Sequence, residues 1–145
     1  MYTANTYCLA ESAAQAYDLL QSDRKNAIVG GNLWMRMGKG AYNTLIDLSR
    51  LGLDVIAAED GFLTFGAMTS FRTVETSALA ERCFGPVLRE ALSPIVGTQF
   101  RSLATVGGTV SGRYGFSDLL NAALALDAEV EFYRAGRMPL AGYLS

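Results

Sequence analysis

The sequence predicts an α+β fold in two lobes, and three observations lead there. The first fifty residues alternate strand-like and helix-like segments, the rhythm of a small α/β unit. A hairpin signal and a run of helix signals follow with a different rhythm. Between them the composition shifts near Gly52, which sets the expected lobes at 1–52 and 53–145, and 145 residues suit one small domain.

In chain order, Thr6 to Leu9 reads as a short strand. Ser12-Ala-Ala-Gln15 is a capping-box pattern, and the helix after it is expected to bury Ala13, Ala16, Leu19 and Leu20. Asn26 to Val29 reads as a buried strand running into Gly30-Gly31, followed by an irregular stretch and a strand at Thr44 to Leu48. Val55 to Glu59 and Phe62 to Phe65 flank Asp60-Gly61, a pair that tolerates the positive φ angles of a tight hairpin turn. Thr69 or Ser70 is placed to cap a helix over Phe71 to Thr76. Pro86 suits a first helical turn, with Val87, Leu88, Leu92 and Ile95 as the apolar positions and Pro94 near the stop. A helix at about Asp118 to Leu126, a strand at Glu129 to Tyr133 and a turn at Ala135-Gly136 complete the reading.

Composition narrows the function. Half of the residues are hydrophobic and 18% are charged, so a folded domain rather than a disordered chain is expected. A net charge of −2 argues against nucleic acid or anionic membrane as partner, because both need many Lys and Arg contacts. No apolar run nears the roughly 20 residues that span a bilayer. The N-terminus has neither the basic start nor the apolar stretch of a signal peptide, so a cytoplasmic location is expected. The two cysteines, Cys8 and Cys83, stand far apart without metal-ligand spacing and are expected as core fillers. Arg36, Lys39, Arg101 and Arg113 could attract phosphates, although such residues more often form a solvated face, and Arg101 could also be structural. There is no histidine, which removes the commonest proton-transfer residue. With no catalytic side chain and no metal ligands identified, chemistry borrowed from a cofactor is the expectation.

Two segments carry glycine pairs that could cradle phosphate, although such a pair alone is more often just a turn. Ile28-Val-Gly30-Gly31-Asn32-Leu33-Trp34 is a β-branched strand end opening onto two glycines, and Ala104-Thr105-Val-Gly107-Gly108-Thr109-Val-Ser111 repeats the glycine pair. Adjacent glycines let the backbone approach a ligand closely, and successive amides in such a turn can form a nest for phosphate oxygens. Asn32, Thr105, Thr109 and Ser111 add side-chain donors. Neither segment is a Walker loop, since no Lys-Ser or Lys-Thr follows. The GxGxxG spacing is absent, and no helix is expected directly after Gly31, so neither is a Rossmann fingerprint. Two loops suit the two phosphates of a dinucleotide.

These segments stand in a longer ordered pattern. Thr44-Leu-Ile-Asp-Leu48, Leu63-Thr-Phe-Gly-Ala-Met-Thr69, Val96-Gly-Thr-Gln-Phe-Arg101, Phe116-Ser-Asp-Leu119 and Ala125-Leu-Asp-Ala-Glu-Val130 accompany them in sequence. From about Tyr7 to Tyr143 the chain resembles the FAD-binding domain of molybdenum hydroxylases, the flavin subunit of bacterial xanthine and carbon monoxide dehydrogenases. The resemblance implies a two-lobed fold of the vanillyl-alcohol-oxidase type, with the second lobe incomplete here. It implies that Ile28, Val29, Gly30, Gly31, Asn32, Leu33 and Trp34 wrap the FAD pyrophosphate from the first lobe. Thr105, Gly107, Gly108 and Thr109 would meet it from the second, Asp118 would accept hydrogen bonds from cofactor hydroxyls, and Ile95 would lie against the cofactor. Relatives often carry a polar pair where this chain has Asn32-Leu33, so any Leu33 contact would be through its backbone. They often carry Asn or Asp at the position of Thr109. The implied function is electron transfer through FAD within a complex, with molybdenum-binding and iron–sulfur subunits as partners and NAD+ or another molecule as acceptor. Two other readings stand beside it: a flavin-domain assembly protein with weak or no FAD binding, and a stand-alone flavin oxidase or reductase.

Overall fold

A computed structural model of the chain describes residues 1–145, beginning with a parallel sheet. Its strands are β1 (Thr3–Leu9), β2 (Ala27–Val29) and β3 (Ala41–Asp47), in the order β1-β3-β2. Parallel pairing needs a crossover, and α1 (Ala13–Ser22) supplies the one between β1 and β2. Ser12 Oγ accepts from the Gln15 amide at 3.1 Å, as the capping pattern predicts. The reciprocal bond falls one residue further out, where the Glu11 amide donates to Gln15 Oε1 at 2.7 Å. Ala16 is buried and, with Leu19 and Leu20, packs on Ala10 and Ile46. Ala13 is exposed, so the buried stripe starts one turn later than expected. Buried Asn26 fastens helix to sheet: its Nδ2 donates to the Leu19 carbonyl at 2.7 Å, and its Oδ1 accepts from the Thr44 amide at 2.9 Å.

The stretch after Gly31 is not irregular throughout. Asn32 adopts φ 60, a left-handed conformation that asparagine tolerates, and turns the chain into the five-residue α2 (Leu33–Met37). The expected hairpin is present as β4 (Ile56–Glu59) and β5 (Phe62–Phe65), with Asp60 at φ 52 and Gly61 at φ 81.

Helices then dominate. Ser70, rather than Thr69, caps α3 (Phe71–Glu75), and α5 (Val87–Leu92) starts behind Pro86. The sequence reading did not anticipate α4 (Ala78–Phe84), α6 (Thr98–Leu103) or α7 (Val106–Gly112). Each spans at most two turns, too short for a 3.6-residue period to register. The caps of α4 are legible in retrospect: Ser77 Oγ accepts from the Ala80 amide, and Gly85 at φ 63 closes the helix. After α8 (Asp118–Ala125), β6 (Glu129–Phe132) pairs with the unanticipated β7 (Gly136–Pro139), and α9 (Leu140–Leu144) follows.

Phe71, Val74, Ala80, Leu88, Leu92, Ala104, Leu119 and Ala122 form the larger core, on which Leu33 of α2 also packs. Val87 faces outward, and Cys83 lies on the solvent side of α4 rather than in a core. Cys8 is half-buried. No helix is long and apolar enough to cross a membrane.

Arg101 departs most from expectation, because it is buried rather than solvated. Its Nε donates to Glu75 Oε2 at 2.8 Å, and its Nη1 donates to the Ile95 carbonyl at 2.8 Å. This ties α6 to α3 and braces Val96, a β-branched residue at φ 45. Burial alone pushes the Glu75 carboxyl up, but hydrogen bonds from Arg101 and Arg72 outweigh it and hold the group below its ordinary value. Replacing Arg101 by Met leaves a buried carboxylate without its main partner and is expected to cost roughly 3–5 kcal/mol in urea unfolding at neutral pH. A depressed folded-state value means the stabilisation is complete above the ordinary carboxylate range and disappears as pH falls through the lowered value. Unfolding midpoints of the parent chain should therefore drop on acidification, and those of Arg101→Met should drop less. Parallel slopes would refute the assignment.

Candidate functional site

The first glycine pair leaves β2 and runs directly against the junction of α6 and α7. A Cβ on Gly31 would lie 1.4 Å from the Leu103 carbonyl oxygen. One on Gly30 would lie 2.7 Å from Thr105 Oγ1 and 3.8 Å from the Gly108 Cα. Both positions need glycine because another backbone and a buried threonine occupy the space of a side chain. Gly30, Gly31, Thr105 and Gly108, far apart in sequence, thus share one seam between the sheet and the helices.

The two pairs use their amides in opposite ways. Gly107 and Gly108 do not form the phosphate nest expected of a turn, because they lie in the first turn of α7 and their donors are engaged. Thr105 Oγ1 accepts from the Gly108 amide at 3.2 Å. The Val106, Gly107 and Thr109 amides donate to the carbonyls of Thr69, Ala67 and Thr105 at 3.0, 2.8 and 3.1 Å. Thr105 and Thr109 are both buried, and Gly107 packs directly on Ala67. In the first segment, the amides of Gly30, Gly31 and Asn32 donate to no atom of the chain. Asn32 Nδ2 donates to the Tyr2 hydroxyl at 2.9 Å, while Asn32 Oδ1 is fully buried without a partner. A buried acceptor left unpaired is costly, and adjacent free donors compound the demand for a polar ligand. Free amides suit phosphate oxygens, and the asparagine oxygen suits a hydroxyl or amide donor, so the residues present fit a dinucleotide.

The remaining candidates scatter. Ile28 is exposed in β2 and Val29 is half-buried. Leu33 is engaged in the larger core, where its side chain does what a polar residue there would not. Ile95 packs on the same core and gives its carbonyl to Arg101. Thr109 is buried, and Asp118 is exposed in the first turn of α8, beside the Ser117 cap. Trp34 meets two aromatics that sequence reasoning passed over, Tyr114 and Phe116, with ring centroids 5.1 and 5.6 Å away. Two aromatics spaced around Gly115, just before a helix cap, were the available signal.

Residues 2–145 match the family described as the FAD binding domain in molybdopterin dehydrogenase. The chain is 27% identical over 139 residues to the xanthine dehydrogenase FAD-binding subunit of Escherichia coli, covering 92% of this chain and 47% of that protein. Among solved structures, carbon monoxide dehydrogenase from Hydrogenophaga pseudoflava superposes with a TM-score of 0.83 at 24% identity, over 97% of this chain and 52% of that one. Quinoline 2-oxidoreductase from Pseudomonas putida superposes with a TM-score of 0.81 at 21% identity, over 92% of this chain and 49% of that one. These likenesses bear out the fold expected from the resemblance, and the chain spans about half the length of the curated relatives it matches. By sequence match over nearly its whole length, the chain belongs to the FAD-binding domains of molybdopterin dehydrogenases.

Proposed function

We propose that this chain holds FAD along the seam and serves as the electron-relay component of a molybdenum hydroxylase assembly. One observation carries the reading: three unengaged amides and a buried, unpartnered asparagine oxygen lie where two glycine pairs, far apart in sequence, converge. In this reading the lobe of residues 1–52 contributes Ile28 to Trp34, with the Gly30, Gly31 and Asn32 amides donating to the diphosphate. The lobe of residues 53–145 contributes Thr105, Gly107, Gly108 and Thr109 through close approach, while Asp118 accepts from cofactor hydroxyls and Ile95 limits the pocket. FAD, when bound, supplies the capacity to take up electrons and pass them on. The chain's own residues bind it, orient it and keep water from its diphosphate. Iron–sulfur and molybdenum-binding subunits are the proposed partners on the donor side, and NAD+ is a proposed acceptor. A cytoplasmic location accompanies this reading.

The purified chain, mixed with FAD and desalted, is expected to keep a visible flavin absorption band. A colourless chain would move the reading to the assembly protein. Gly31→Ala drives a methyl group into the Leu103 carbonyl and is expected to abolish flavin retention while costing about 1–3 kcal/mol of stability. Gly61→Ala strains a positive-φ turn with open space around it, so it should lower stability alone. Equal flavin retention in both variants would refute the seam as the binding site.

A further inference from the structure

Trp34, Tyr114 and Phe116 converge from opposite sides of the seam. Trp34 sits in α2, two residues beyond Asn32, and the other two lie in the loop between α7 and α8. Tyr114 and Phe116 stack at 5.5 Å with planes 26° apart, and Phe116 meets Trp34 edge-on at 62°. The rings hold one another, yet Trp34 remains 44% and Phe116 66% exposed. Neither belongs to the buried core. Aromatic faces left in water gain from a further planar ring, by apolar burial and by stacking geometry together. The chain position of this surface matters: the free amides of Gly30 to Asn32 lie on one side, and Asp118 follows Phe116 by two residues.

We propose that these three residues form a stacking platform for a planar heteroaromatic ring of the bound nucleotide, either its adenine or its isoalloxazine. The proposal rests on the reading above that the diphosphate lies at Gly30 to Asn32. A ring tethered to that diphosphate through its sugar or ribityl chain is confined to the neighbourhood of the glycine turn, where this aromatic surface stands. Stacking selects for a flat π-face rather than for charge, which suits rings that are themselves uncharged. The platform also couples binding to lobe position, because it is complete only while α2 and the α7–α8 loop stay together.

Trp34 is the single tryptophan, so its emission reports on the platform alone. The 145-residue chain and its Phe116→Ala and Phe116→Tyr variants would be titrated with FAD, FMN, ADP and inorganic pyrophosphate, by fluorescence and calorimetry. FAD is expected to quench Trp34, and pyrophosphate is not. Quenching by ADP assigns the adenine, and quenching by FMN assigns the isoalloxazine. Phe116→Ala should weaken FAD by about 5- to 150-fold, the range for one lost aromatic stack, with pyrophosphate affinity unchanged. Phe116→Tyr should restore the affinity. FAD retained with unchanged Trp34 emission and unchanged affinity in Phe116→Ala overturns the platform while leaving flavin binding intact, and gives the surface to a protein partner. A lowered melting temperature with unchanged affinity overturns it in favour of a clamp between lobes. A folded chain that binds neither nucleotide nor pyrophosphate overturns the platform and the FAD reading together.

Discussion

The Leu103 carbonyl occupies the space where any residue but glycine would place a Cβ at position 31, and this close approach decides how the sheet meets the helices. The wall behind it is held by buried polar bonds. Arg101 joins α6 to Glu75 of α3 and to the Ile95 carbonyl, and the Phe71 amide donates to the Ala104 carbonyl at 2.8 Å. The Val106 and Gly107 amides close the junction onto the Thr69 and Ala67 carbonyls. Buried polar groups satisfied in this way make a rigid surface, and a rigid surface is what a backbone in contact without side chains requires.

The same dipeptide serves two physical ends in one chain. Gly107 and Gly108 let α7 begin hard against Ala67, and every amide in that turn finds a partner inside the protein. Gly30 and Gly31 also permit close packing, but their amides and that of Asn32 remain free. A glycine pair in a sequence therefore signals proximity of backbones. Whether it signals a phosphate site depends on where the amides point, which the neighbouring carbonyls decide.

Much of the fold was legible in the sequence. The Ser12 cap, the Asp60-Gly61 turn and the Pro86 helix start are local chemistry, and each appears where the residues put it. The helices α2, α4, α6 and α7 were not legible. They are one to two turns long, held by caps and tertiary packing rather than by intrinsic periodicity. Arg101 was misread for a related reason: its charge predicts exposure, and only the partner placed opposite it by α3 makes burial tolerable.

The sequence by itself determined the caps and the hairpin turn, the two glycine segments and the family, since these rest on local patterns and on their order along the chain. Leu33 shows the limit of such patterns. By itself it looks like the loss of a polar ligand group, whereas in the folded chain it is a half-buried residue that packs against the larger core and anchors α2 to the helical side. The tertiary structure alone decided which amides are free, that Asn32 Oδ1 is buried without a partner, and that Trp34 meets Tyr114 and Phe116. These are properties of residues some eighty positions apart in sequence. Only the packing of one backbone against another brings them within hydrogen-bonding or stacking range.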